Sequence, residues 1–234
     1  MSDDVGSRSS GPSAVILAGG ASRRMGRDKA TIPIGDATLL GRVVEGLLGI
    51  GGLSRIIVVG SRVRDLDDAL GVGARSRTAS RTITFVEDRW PGEGPLGGLI
   101  TGLRVLQTGV DGAEGPAVTV PETDGISFVL SCDMPNLSFD ELTPLLEALE
   151  ASPFIDAVLS TRLGRSQPLH SALRFSSCGL LERAFLAGER RLEAAFAGLN
   201  VRYRPDRVGS SDDIDTPHDL EKLLRTRSEG SVAD

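Results

Sequence analysis

The sequence predicts an α/β fold: a single domain on a mostly parallel, doubly wound sheet with helices on both faces. Three observations carry that expectation. Short runs rich in β-branched residues alternate with amphipathic stretches of helical length. These runs are continuously apolar rather than alternating, as in strands covered on both faces. The chain has 234 residues, enough for one sizeable core and short for two large ones.

Ala14–Leu17, Arg55–Val59, Ile83–Val86, Ile126–Leu130 and Asp156–Leu159 read as strands. Leu39–Ile50, Pro95–Leu106, Ser138–Ala151, Cys178–Ala187 and Thr216–Arg225 read as helices. In the fourth of these, Leu180, Leu181, Ala184 and Phe185 recur at helical spacing. Gly71–Arg81, rich in Gly, Ser and Arg, and Asp111–Gly125, rich in Gly, Pro and acidic residues, read as long surface loops. Residues 1–12 have neither the basic start nor the apolar stretch of a secretory signal and read as a disordered leader. The lack of a signal in that leader points to a cytoplasmic protein, and residues 226–234 read as a flexible tail, which leaves 13–225 as the domain.

Composition narrows the function classes. Forty per cent hydrophobic and 25% charged residues describe an ordinary globular chain, and no apolar run reaches the roughly 18 residues of a membrane span. Twenty-six basic against 32 acidic residues give a net charge of −6, the wrong sign for a polymer-binding surface, so nucleic acid is not an expected partner. One Trp, one Tyr and seven Phe are also few for a base-stacking platform. Cys132 and Cys178 cannot make a disulfide framework, and with only His170 and His218 beside them a zinc site is not expected.

The first strand runs straight into Leu17-Ala18-Gly19-Gly20, and Arg24, Asp28 and Lys29 follow. In open parallel sheets ligands bind beyond the carboxyl ends of the strands, which is where this loop belongs. Glycines there let backbone N–H groups approach phosphate oxygens, and Arg24 and Lys29 place positive charge beside them. A tight strand-to-helix turn would use the same Gly-Gly pair. The spacing is not that of the usual P-loop, and no G-x-G-x-x-G follows the strand, so neither of those two nucleotide motifs applies.

Further along, Val86-Glu87-Asp88 ends a strand ahead of Gly94-Pro95-Leu96-Gly97-Gly98, a backbone wall that opens a helix. Ile126–Leu130 delivers Asp133 at a strand's carboxyl end, with Pro135 stopping the strand. A hard carboxylate so placed suits Mg²⁺, and a helix-capping aspartate is the bland alternative. Cys132 reads as a small buried residue and not a nucleophile. His170 reads as a satisfied histidine at a strand start, and Arg190 and Arg191 as a solvated helix end that could also meet an anionic substrate. Ser211–Pro217, with Asp213 and Asp215, can cap the last helix.

The segments L-A-G-G-x-S-x-R-M-G-x-D-K-A, the strand-ending E-D with G-P-L-G-G, and C-D-M-P-x-L resemble the molybdenum cofactor guanylyltransferase family. That family, the NTP transferases like molybdopterin-guanine dinucleotide biosynthesis protein A, sits within the wider nucleotide-diphospho-sugar transferase group. The likeness runs from about Ala14 to Leu224. It implies a nucleotide site at Leu17, Ala18, Gly19, Gly20, Lys29, Asp88, Gly94, Pro95, Leu96 and Asp133. It also implies catalytic roles for Lys29, Arg24 and Asp133, with Mg²⁺ on Asp133. Asp213 and Asp215 stand where the family often has asparagines near the acceptor. They could bind acceptor, could hold a second Mg²⁺, or could belong to a sister family with another acceptor.

The implied reaction moves GMP from GTP to the phosphate of molybdopterin, releasing pyrophosphate and forming the guanine dinucleotide cofactor. The implied partners are these two substrates, with transient contacts to cofactor-biosynthesis or recipient enzymes. Cytidylyl enzymes of the same cofactor typically show L-A-A-G and lack the G-P-L-G-G segment, so both places side with guanine. Cytidylyl transfer, transfer to a sugar or alditol phosphate, and a non-catalytic nucleotide-binding module are the competing readings.

Overall fold

A computed structural model describes residues 11–19, 29–35, 37–50, 52–61, 82–108, 125–134, 137, 139–206 and 218–219. Seven strands form one sheet: β1 (Ser13–Leu17), β4 (Arg55–Val59), β5 (Thr82–Val86), β6 (Ile126–Ser131), β7 (Ala157–Arg162), β8 (Arg165–Arg174) and β9 (Val201–Pro205), in the order β5-β4-β1-β6-β8-β7-β9. Every neighbouring pair is parallel except the two that β8 makes, with β6 and with β7. A small antiparallel pair, β2 (Pro33–Ile34) and β3 (Ala37–Thr38), stands apart. The mostly parallel, doubly wound sheet is therefore as the sequence predicts.

The apolar strands are buried because both faces are covered. On one face Ala14, Ile16, Ile56, Val58, Phe128 and Leu130 pack with Val43, Val44 and Leu47 of α1 (Leu39–Gly49) and Leu142, Leu145 and Leu149 of α3 (Phe139–Glu150). On the other, Val15, Leu17, Ile57, Val59 and Val129 meet Leu96, Leu99 and Leu103 of α2 (Pro95–Thr108). The same face holds Leu181 and Phe185 of α4 (Cys178–Leu186) and Phe196 of α5 (Leu192–Phe196). Consecutive strand residues alternate between these two cores, so neither side of the sheet tolerates a polar run. Thr38 starts α1 by accepting a hydrogen bond from the Gly41 N–H at 2.9 Å.

The structure extends the expected elements and adds others. The strand expected over Asp156–Leu159 runs on as β7 to Arg162, across an irregularity between Leu159 and Ser160. β2, β3, β9 and α5 have no counterpart in the sequence reading, and β8 is present there only as the strand start given to His170. Leu163 and Gly164, both at positive φ (49° and 76°), make the two-residue turn that reverses β7 into β8. The Gly71–Arg81 loop, residues 111–124 of the second loop, residues 1–10 of the leader and the tail lie outside the described residues. So does the last helix except His218 and Asp219, which are helical.

Candidate active site

Sheet register gathers the loops that the sequence singles out. Leu17 lies beside Val59 on one side and Ser131 on the other, and Val59 lies beside Val86. The residues that follow, Ala18-Gly19, Gly60, Glu87-Asp88 and Cys132-Asp133, consequently leave the sheet along one carboxyl edge. β8 runs the other way, and the pairing of Leu130 with His170 brings Gln167–Leu169 to that same edge.

Backbone bonds fix this row. The Ala18 and Gly19 N–H groups both donate to the Val59 carbonyl (2.9 and 3.1 Å), Gly60 N–H donates to Val86 (3.0 Å), and Cys132 N–H donates to Leu17 (3.1 Å). Gly19 and Gly60 touch backbone to backbone. A Cβ on Gly19 would lie 3.1 Å from the Gly60 Cα, and one on Gly60 would lie 2.9 Å from the Gly19 Cα. Gly60 also has φ +77°, which only glycine adopts without strain. Gly19 is thus glycine for close approach to Gly60, and its own N–H is already taken.

Lys29 opens a 3-10 turn, Lys29–Thr31, anchored by the fully buried Ala30 and Ile32. Its Nζ donates to Asp133 Oδ2 at 2.9 Å, a charged hydrogen bond between residues 104 positions apart. The two side chains are 18% and 15% exposed, so the pair is partly desolvated yet reachable from solvent. The Ser131 hydroxyl donates to the other oxygen, Oδ1. Asp133 is therefore a half-buried carboxylate aimed by two neighbours, one of them a cation. Its oxygens are hard donors of the kind Mg²⁺ takes.

Asp88 is also held. Its Oδ1 accepts from the Trp90 N–H at 3.0 Å and from the Thr101 hydroxyl at 3.4 Å, and Thr101 donates in addition to the Gly97 carbonyl at 3.0 Å. Oδ2 lies 3.7 Å from where a Gly98 Cβ would be. The glycine at the start of α2 lets the helix sit against Asp88 and Leu17. Gly94 has φ +92° and abuts the Arg190 carbonyl, 3.2 Å from a hypothetical Cβ. Pro95 starts α2, and Leu96 points fully buried into the core.

A cleft of about 410 Å³ opens beside Asp133, walled by Pro95 and Ser131, by the start of β8, and by Arg190–Glu193. Arg190 is not a free solvated cation. Its Nε binds Glu93 at 2.6 Å, its Nη1 binds the Phe185 carbonyl at 2.8 Å, and its guanidinium lies 4.1 Å over the Phe185 ring. Arg191 keeps an 80% exposed side chain on the cleft wall.

His170 departs from the sequence reading. It lies well inside β8, fully buried, and neither ring nitrogen has a hydrogen-bond partner among the described residues. Burial lowers its pKa, and the Asp206 carboxylate partly offsets this. The expectation of a satisfied histidine at a strand start fails because the middle of strand β8 carries the ring into the protein, where it has no hydrogen-bond partner among the described residues. Cys132 is buried, as expected of a small core residue.

Leu17, Ala18, Gly19, Lys29, Asp88, Gly94, Pro95, Leu96 and Asp133 are thus all placed, on or beside one edge of the sheet. Gly20, Arg24, Asp213 and Asp215 lie outside the described residues. Ser131, Thr101 and Gly60 were missed. Gly60, a glycine directly ending an apolar strand, carried a usable signal. Ser131 and Thr101 look like ordinary polar residues of a strand and a helix.

This fold and edge define a nucleotidyltransferase of the nucleotide-diphospho-sugar transferase type. The chain belongs to the family of the MobA-like NTP transferase domain, which matches residues 14–207. A probable molybdenum cofactor guanylyltransferase from Chloroflexus aggregans is 33% identical over 195 residues, spanning 80% of this chain and 77% of that protein. The crystal structure of molybdopterin-guanine dinucleotide biosynthesis protein A from Archaeoglobus fulgidus is similar with a TM-score of 0.66 at 25% identity, covering 93% of this chain and 99% of that one. The 4-diphosphocytidyl-2C-methyl-D-erythritol synthase of Anaerococcus prevotii shares the fold at 16% identity, with a TM-score of 0.65 over 94% and 97% of the two chains. Among the described residues no helix is long and apolar enough to cross a membrane.

Proposed function

We propose that this protein transfers GMP from GTP to the phosphate of molybdopterin, releasing pyrophosphate. The observation that carries the reading is the Lys29–Asp133 pair, 2.9 Å apart, at the sheet edge where the glycine loop begins. A phosphate monoester is already anionic at neutral pH, so no strong base is needed. One of its oxygens bonds to the α-phosphorus of GTP, and the bond from that phosphorus to the pyrophosphate oxygen breaks. The task left to the protein is to hold two polyanions in line and cancel their repulsion.

Lys29 would place its ammonium on the α-phosphoryl group, and Arg24 would add a second charge. Asp133, with Ser131 fixing its orientation, would hold Mg²⁺, which when bound neutralises the nucleotide phosphates. Asp88 and the Gly94–Leu96 backbone would border the base and ribose, with Gly19 packed backbone to backbone on Gly60. The acceptor would lie in the cleft beside Asp133, and Asp213 and Asp215 are proposed to bind it. A cytoplasmic setting belongs to the same proposal; the two free, buried cysteines agree with a reducing compartment.

The test is pyrophosphate release from GTP, dependent on molybdopterin, for the wild type and Asp133→Asn across a Mg²⁺ series. The wild type should turn over only when both substrates are present. Asp133→Asn should need far more Mg²⁺ and lose ~10²-fold or more in turnover, with an unchanged fold by circular dichroism. Asn caps helices about as well as Asp, so normal turnover with an unshifted Mg²⁺ curve would reduce Asp133 to a cap. Turnover with a sugar phosphate and none with molybdopterin would reassign the acceptor, and nucleotide binding without any turnover would leave a binding module.

A further inference from the structure

Behind the wall of the cleft, three elements converge on side chains that the proposed reaction does not use. Glu141 comes from the first turn of α3, His170 from β8, and Asp206 from the residue after β9. One ligand atom from each lies within 4.8 Å of the others. His170 Nδ1 is 3.9 Å from Asp206 Oδ2, and both of those side chains are fully buried; Glu141 is 9% exposed. The imidazole is aimed into the cluster, and among the described residues neither of its nitrogens has a hydrogen-bond partner, an arrangement that costs free energy when buried unless something binds there.

We infer that Glu141, His170 and Asp206 form a structural site for a divalent transition metal of the Zn²⁺ class, separate from the Mg²⁺ carboxylate Asp133. One imidazole with two carboxylates suits Zn²⁺ and its first-row neighbours rather than Mg²⁺ or Ca²⁺, which take oxygen ligands. Burial favours the neutral imidazole, the form that coordinates. Ligand bonds of about 2.0–2.1 Å in a tetrahedron put donor atoms roughly 3.3 Å apart, so the 3.9 Å pair needs little movement. A short side-chain adjustment would close the wider separations. A water completes four-coordination.

The site would tie α3, β8 and β9 together at the far side of the sheet. Asp206 already docks its N–H on the Thr161 carbonyl at 2.9 Å. From there the chain runs on toward Asp213 and Asp215, so the metal would anchor the start of that segment.

The test uses Co²⁺ as a spectroscopic substitute on the metal-stripped full chain, with Zn²⁺ as competitor. The expected result is one equivalent of Co²⁺ with the visible absorption of a four-coordinate site, displaced by Zn²⁺ and retained in Asp133→Asn. His170→Gln, Glu141→Gln and Asp206→Asn should each weaken binding by ~10²-fold or more, beyond what loss of an outer-shell partner does. Should His170→Gln fail to fold, the two carboxylate variants decide. A wild type that takes up no Co²⁺ equivalent would mean a metal-free buried histidine cluster and would overturn the proposal. Binding that survives in the ligand variants and disappears in Asp133→Asn would overturn it equally, by assigning the ion to the nucleotide edge.

Discussion

Lys29 and Asp133 meet although 104 positions separate them, and each owes its place to a neighbour of a different kind. Ala30 and Ile32, fully buried, moor the turn that carries Lys29. Strand β6 carries Asp133, and Ser131 fixes one of its oxygens. Lys29→Ala should therefore cost ~10²-fold or more in turnover, the range for losing one electrostatic stabiliser. The melting temperature should fall modestly, because the mostly buried Asp133 carboxylate left behind keeps its Ser131 hydrogen bond and some contact with solvent. Steady-state kinetics beside a thermal melt would check this, and a folded variant with near-normal turnover would remove Lys29 from the chemistry. At this scale the sequence was legible where residue type and position coincide: a lysine closing a glycine loop, an aspartate ending an apolar strand. It was not legible for Ser131, whose role depends on standing two residues before Asp133 at the end of β6. Nor was it legible for Thr101, whose hydroxyl reaches Asp88 only after α2 docks.

Among the elements, α2 packs on β1 and β4 through glycines. A Cβ on Gly102 would fall 2.5 Å from Val15 Cγ1 and 3.1 Å from Val59 Cγ2, and Gly97 and Gly98 are similarly tight against Trp90 and Leu17. These glycines cost helix propensity, about 1 kcal/mol each against Ala, and in return let the helix sit close to β1 and β4. That contact also sets where Asp88 and Gly94 stand relative to Gly19. Gly102→Ala should accordingly destabilise by about 1–3 kcal/mol through overpacking, despite the better helix former. Urea denaturation would read this, and a stabilised variant would show that α2 has room to retreat. The elements the sequence missed share a physical cause. β8 (Arg165–Arg174) mixes Ser, Gln and Pro into its first half and His and Ser into its second, and β9 is exposed over four of its five residues. Neither has the continuous apolar run that marks a buried parallel strand. Each strand was instead held in place by its neighbours, β8 by antiparallel pairing with β6 and β9 by lying beside β7.

On the scale of the whole molecule, one carboxyl edge collects the ends of β1, β4, β5 and β6, while β8 reverses to close its side. Most of the parallel half of this arrangement was legible in the sequence, because β1, β5 and β6 each lead into a Gly or Asp that reads as a loop with a task, while Gly60 after β4 passed unread. The reversed half, including the cleft wall and the buried cluster around His170, was not, since those residues acquire meaning only when the sheet is assembled. A nucleotide bound at this edge, as proposed, would bridge loops from several strands and should stabilise the fold as a unit. With Mg²⁺ present and ligand near 100 times its Kd, linkage gives about 2.7 kcal/mol, or roughly 5–10 °C of melting temperature for a chain of this size. Guanine selectivity should then show as a difference between nucleotides at equal concentration. A tenfold preference for GTP over CTP is about 1.4 kcal/mol, which corresponds to about 3–6 °C. Gly19, Gly20 and Gly94 have no side chain to crowd the larger base, and Leu96 turns its own into the core, so GTP should give the larger shift, and Gly19→Ala should reduce the shift for both. Thermal melts with GTP and CTP, with and without Mg²⁺, make the comparison. Equal or greater stabilisation by CTP would overturn the guanine assignment while leaving the nucleotidyltransferase fold and the Lys29–Asp133 pair untouched.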